Sequence, residues 1–151
     1  MAKIEAENAG PIEIYYEEWG AGEPVVLIGG LTSTVEVWGG QVPALAERYR
    51  VVTPDNRGSG RTRVREDDGL RTAERFAGDV LALLDGLGLE RVHLLGASMG
   101  GTIVQEFALQ HPERLATLTI ACSSFGGSHA VRATPEVVSA MVEGAAEEAS
   151  E

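Results

Sequence analysis

The chain has 151 residues, an ordinary globular composition and a formal net charge of -11. That length suits one domain with a real core, and the acid excess speaks against nucleic acid or an anionic membrane as a partner, since binding phosphate needs clustered Lys and Arg. Residues Met1 to Glu7 lack the apolar run of a secretory signal, and no stretch approaches membrane-spanning length, so a cytoplasmic protein is expected. Cys122 is the only cysteine. An intramolecular disulfide and a cysteine-rich metal site are thereby excluded, and its place after an apolar run suggests a buried thiol.

Lys3 to Glu7 and Ile12 to Trp19 read as two antiparallel strands joined by the turn Asn8-Ala9-Gly10-Pro11. Val25 to Ile28 is a continuous apolar run ending in Gly29-Gly30, the mark of a strand covered on both faces. Trp38, Val42, Leu45, Ala46 and Tyr49 then fall on one helical face, with Pro43 tolerable only in its first turn. Arg50 to Pro54 is a further strand, and it runs into the glycine-punctuated loop Asp55 to Thr62. After a charged stretch, Phe76, Val80, Leu83, Leu84 and Leu87 repeat the helical spacing behind Thr72 as N-cap. Leu115 to Cys122 is a sixth strand, Phe125 to Ala133 an irregular link, and Thr134-Pro135 opens one more helix. The Ala- and Glu-rich tail from Glu143 to Glu151 is expected to fray.

Between the Thr72 helix and the sixth strand lies the segment on which the functional reading turns. Val92, Leu94 and Leu95 make a short strand, while Ile103, Val104, Phe107 and Ala108 recur at helical spacing. Gly96-Ala97-Ser98-Met99-Gly100 is therefore a strand-to-helix turn, the Gly-x-Ser-x-Gly context of a nucleophile elbow. The turn forces the serine into a strained backbone conformation, and side chains two positions away would collide where strand and helix cross. The helix's first amides then face the serine hydroxyl, at the end of the helix dipole that favours an anion. A phosphate loop is excluded, because no lysine follows these glycines. Strands alternating with helices imply an α/β fold, a mostly parallel twisted sheet with helices on both faces. Ligands of such sheets bind outside the carboxyl ends of the strands.

Taken together, these residues resemble the α/β-hydrolase superfamily, in its serine-nucleophile esterase and lactonase-like group. The resemblance rests on Gly96 to Gly101, the Asp55-x-Arg57-Gly58-x-Gly60-x-Thr62 loop, the His111-Pro112-Glu113-Arg114 helix exit, and Gly29-Gly30 followed by Trp38. One departure is Gly29, which stands where that family usually has histidine. The resemblance implies the strand order 1-2-4-3-5-6 and an α/β-hydrolase core lacking its last strands, with residues 1–125 as the amino-terminal part of the core and 126–151 as the start of a lid and the acidic tail. It implies Ser98 as nucleophile toward an ester, lactone or related acyl substrate, and the amides of Leu31 and Met99 as oxyanion hole. The side chains of Leu31 and Met99 would then be packing or pocket wall. Asp55 and Arg57 would pin their loop, and Trp38 would be core. No cofactor or metal is implied.

A serine nucleophile needs a histidine base oriented by a carboxylate, which in this fold follow in the order Ser, Asp or Glu, His. No aspartate follows Ser98. His93 lies on the same strand, roughly 15 Å away at the wrong edge of the sheet, and His111 ends the following helix nearly 20 Å away, at about 1.5 Å per residue. His129 falls near the correct edge but without an in-chain acid, which suits a lid or entrance residue. The acid and base are therefore expected beyond Glu151 or on another chain, such as a complementing carboxyl-terminal half, leaving this chain inactive alone. Separately, the sixth strand would expose unpaired amides along an apolar segment, and self-association is expected. The alternative is a non-catalytic module that keeps the pocket and binds a small apolar ligand or a partner.

Overall fold

The computed structural model describes residues 2–6, 12–65, 69, 71–128, 130–131 and 133–140. Seven strands form one sheet: β1 (Ala2–Ala6), β2 (Ile12–Trp19), β3 (Glu23–Ile28), β4 (Tyr49–Pro54), β5 (Arg63–Val64), β6 (Val92–Ala97) and β7 (Leu115–Ala121). The order is β1-β2-β4-β3-β6-β7, with β5 paired to β2 off that path. β2 runs antiparallel to β1, β4 and β5, whereas the β3/β4, β3/β6 and β6/β7 pairs are parallel. The six expected strands thus stand in the expected order. β5 is an addition; its two residues fall in a stretch too short and too charged to read as a strand.

Three helices flank the sheet, α1 (Val42–Ala46), α2 (Ala73–Gly86) and α3 (Met99–Gln110), and a further helix covers residues 135–140. The two-residue period of the strands divides the core between the faces. Val26, Ile28, Val52 and Leu94 pack with Phe76, Val80, Leu83, Ile103, Val104 and Phe107 from α2 and α3. Their alternating neighbours Val25, Leu27 and Val51 pack with Trp38 and Val42 on the opposite face. α2 begins as expected, with the Thr72 side chain accepting a hydrogen bond from the Arg75 amide. At its other end, the Arg114 guanidinium donates to the carbonyls of Leu89 and Glu90 and to Asp85, tying the exit of α3 to the α2–β6 link.

Two expectations need correction. The single helical face from Trp38 to Tyr49 is broken: Val35–Trp38 is a 3-10 turn, Val42–Ala46 a short α-helix, and Tyr49 opens β4. Gly39 and Gly40 lie at the break, where helical order is costly. Cys122 is exposed rather than buried, because β7 is the sheet's edge and every residue from Ala116 to Ile120 faces solvent. The turn over residues 8–11, His129 and the tail over 143–151 lie outside the described residues.

Candidate active site

Ser98 sits between β6 and α3 with φ 55° and ψ -120°, a backbone conformation that side chains rarely adopt. The glycines around it are required by contact. A Cβ on Gly96 would lie 2.2 Å from the Gly100 carbonyl oxygen, and one on Gly100 would lie 2.1 Å from the carbonyl oxygen of Ile28. Gly101 is equally constrained, its Cβ falling 2.3 Å from the Ser123 Cβ. The first turn of α3 therefore rests directly on the carboxyl end of β3, with strand and helix too close for any side chain between them. The Ser98 amide donates to the Ala121 carbonyl at the end of β7 (3.0 Å), and the Ser98 carbonyl accepts from Gly101 at 2.9 Å. Met99 opens the helix, so its amide is among those that an α-helix leaves without an intrahelical partner.

Facing this turn is the loop that leaves β3, held at both ends by the Asp55 loop. The Asn56 side-chain amide donates to the Gly29 carbonyl (2.9 Å), and the Val35 amide donates to Asp55 Oδ1 (2.8 Å). Asp55 Oδ2 accepts from the Arg61 amide at 2.7 Å, and Thr62 Oγ1 bridges the Asp55 carbonyl to the Tyr15 amide. Arg57 turns away from the site and forms a two-pronged pair with Asp79 of α2, at 2.9 and 2.7 Å. Burial pushes the Asp79 carboxyl above its ordinary range, against the opposing hydrogen bond and charge of Arg57. Asp55 and Arg57 are thus scaffold, as expected: Asp55, with Asn56, holds the backbone that faces Ser98, and Arg57 ties the loop to α2.

Between the two walls opens a cleft of about 700 Å³, bounded by Gly29, Gly30, Leu31, Ser33, Trp38 and Ser98, with Val37 and Val138 among its apolar lining. It brings Leu31 and Ser98 together. The Leu31 side chain is largely exposed, and that of Met99 packs against the main core, so neither points to a polar role. Trp38 is buried in the core and also forms part of the cleft wall. Sequence reasoning missed Thr32 and Ser33. Thr32 has φ 61°, and the only local hint was that Gly29-Gly30 ends a strand.

The two described histidines are engaged elsewhere. His93 Nδ1 is 2.8 Å from Thr117 Oγ1 and its Nε2 3.2 Å from Glu23, linking β3, β6 and β7. His111 caps α3, with its ring centroid 5.2 Å from that of Phe107 and its Nδ1 3.8 Å from Glu113. Among the described residues no group of three or more His, Cys, Asp or Glu side chains is placed to hold a metal, and no helix is long and apolar enough to cross a membrane.

The fold has many counterparts among solved structures. The chain is 39% identical over 113 residues to "Putative carbamate hydrolase RutD" of Azorhizobium caulinodans, covering 75% of this chain and 42% of that protein. It is 34% identical over 137 residues to 2-hydroxy-6-oxo-6-phenylhexa-2,4-dienoate hydrolase of Comamonas testosteroni, covering 85% and 46%. Among solved structures, a thermophilic esterase from Thermogutta terrifontis superposes with a TM-score of 0.75 at 34% identity, over 89% of this chain and 48% of that one. The chain therefore spans less than half the length of each of these relatives. Residues 23–151 match the family model described as alpha/beta hydrolase fold, and the chain, with its mostly parallel sheet and esterase- and lactonase-like relatives, belongs to that family.

Proposed function

We propose that the chain is the nucleophile-bearing part of a serine hydrolase acting on an ester, lactone or related acyl substrate. The observation that carries the reading is the conformation of Ser98, strained at a strand-to-helix junction that lines the cleft. A strained residue kept in place by its surroundings is a reason to look for function there. Ser98 Oγ would attack the acyl carbon, its proton passing to a histidine base. The carbonyl oxygen, now an anion, would be held by the amides of Met99 and Leu31, and collapse would expel the leaving group with that proton. Water would then hydrolyse the acyl-serine by the same route. The acid and base would come from beyond these residues or from another chain, with residues 126–151 beginning a lid. Two facts support that division: no aspartate follows Ser98, and the relatives are about twice as long.

The test is covalent labelling. A fluorescent aryl phosphonate is expected to modify the 151-residue chain slowly and at one residue, and Ser98→Ala should abolish it. Labelling that survives the substitution would place the nucleophile elsewhere. A folded native chain that is never labelled but binds an apolar dye saturably would favour a non-catalytic binding module.

A further inference from the structure

The loop from Gly30 to Ser33 doubles back on itself. The Ser33 amide approaches the Gly30 carbonyl at 3.4 Å, closing a four-residue turn whose third position is Thr32 at φ 61°. Turns of this kind normally place glycine or asparagine there, and a β-branched residue at positive φ is a true outlier, costing roughly 1–2 kcal/mol. The chain accepts that cost between two fixed points, since Asn56 holds Gly29 and Asp55 holds Val35. What the turn achieves is the return of Ser33 to the space beside Gly30 that Ser98 also borders. The point where a Gly30 Cβ would stand is 3.5 Å from Ser33 Oγ, 3.6 Å from Ser98 Oγ and 3.3 Å from Ser98 Cβ. Two hydroxyls thus converge on one space, which only the absence of a side chain at Gly30 keeps open. Ser33 is half-buried and lines the cleft.

We infer that the Ser33 hydroxyl is a third oxyanion donor, a side-chain hydrogen bond to the acyl oxygen in addition to the two backbone amides. The inference rests on Ser98 being the nucleophile. An oxygen on a carbon that Ser98 Oγ has attacked, when turned into the Gly30 space that both hydroxyls border, comes within reach of Ser33 Oγ. The hydroxyl supplies its proton as a donor and keeps it, so no bond to Ser33 forms or breaks. Donors aimed at the developing charge act more strongly on the transition state than on the bound substrate. The effect should therefore appear in the rate of bond formation and not in affinity. A substrate oxygen that is a strong acceptor, such as that of an ester, lactone or carbamate carbonyl, gains most.

The experiment measures second-order labelling of the full 151-residue chain by two matched probes, an aryl phosphonate and its phosphonothionate, whose sulfur is a weaker acceptor. Ser33→Ala is expected to slow the phosphonate roughly 10- to 100-fold, at or below the range for loss of an oxyanion donor, and to slow the phosphonothionate much less. Ser33→Thr, which keeps the hydroxyl, should stay within about 3-fold of the native rate. Equal slowing of both probes would mean that Ser33 only shapes the loop, and a native rate in Ser33→Ala would overturn the inference outright. If the alanine variant does not fold, Ser33→Cys keeps the volume with a poorer donor, and native-rate labelling by it would overturn the inference as well. Ser98→Ala separates the two readings: labelling that persists there rejects the nucleophile, whereas labelling that is lost there but indifferent to Ser33 rejects the third donor alone.

Discussion

The Arg57–Asp79 pair makes its contribution through placement. Both side chains are nearly shut off from water, and removing two charges from water costs as much as their attraction returns unless the geometry is very good. The raised Asp79 carboxyl is the sign that burial outweighs Arg57. A carboxyl raised in the folded state contributes stability that is full below its ordinary value of 3.8 and is lost as pH rises through the folded value. Replacing both residues by apolar side chains of similar size, Arg57→Met with Asp79→Leu, should therefore be neutral or stabilising at pH 7. Asp79→Leu alone, which takes the carboxylate from a buried guanidinium, should cost about 3–5 kcal/mol. In urea melts from pH 3 to 7, the native chain should lose ground to the double variant as pH rises; a gain would reverse the assignment of the dominant cause.

Among the elements, β7 stands out as an uncharged, β-branched strand at an open edge, with Leu118 37% and Ile120 44% exposed. A strand of that kind is a template for pairing with another chain. The 151-residue protein is expected to self-associate at micromolar concentration, and Ile120→Lys should shift it toward monomer in light scattering; a native chain that is already monomeric would end the idea. Where local rules agree, the elements were legible. The apolar run of β6, the glycines around Ser98 and the period of α3 all point to one turn, and Thr72 marks the start of α2. The failures came where tertiary context overrode a local pattern. The spacing from Trp38 to Tyr49 reflects shared burial against one sheet face, reached by a 3-10 turn, a short helix and a strand. The apolar run before Cys122, read alone, suggests burial, although the strand order 1-2-4-3-5-6 already sets that strand at an edge, where the thiol is exposed. Thr32 carries no local signal for its turn, because the residue that such a turn prefers is absent.

For the molecule as a whole, the expected behaviour is that of an incomplete catalyst. Hydrolases stripped of triad members retain roughly 1000- to 10,000-fold catalysis over water, and the isolated chain should hydrolyse an activated aryl ester at no more than that level. Fusion to the carboxyl-terminal half of the Thermogutta terrifontis esterase should raise turnover, and Ser98→Ala should remove the gain; robust hydrolysis by the chain alone would require a base among its own histidines or one lent by a second copy. The strand order also has a consequence in time. β3 lies between β4 and β6, and its contact with β6 joins residues 25–28 to residues 93–96. At translation speeds of about 5–20 residues per second, one edge of this buried apolar strand waits on the order of several seconds for its partner to be made. During that interval Val25 to Ile28 is the segment of the nascent chain most in need of shelter from its neighbours.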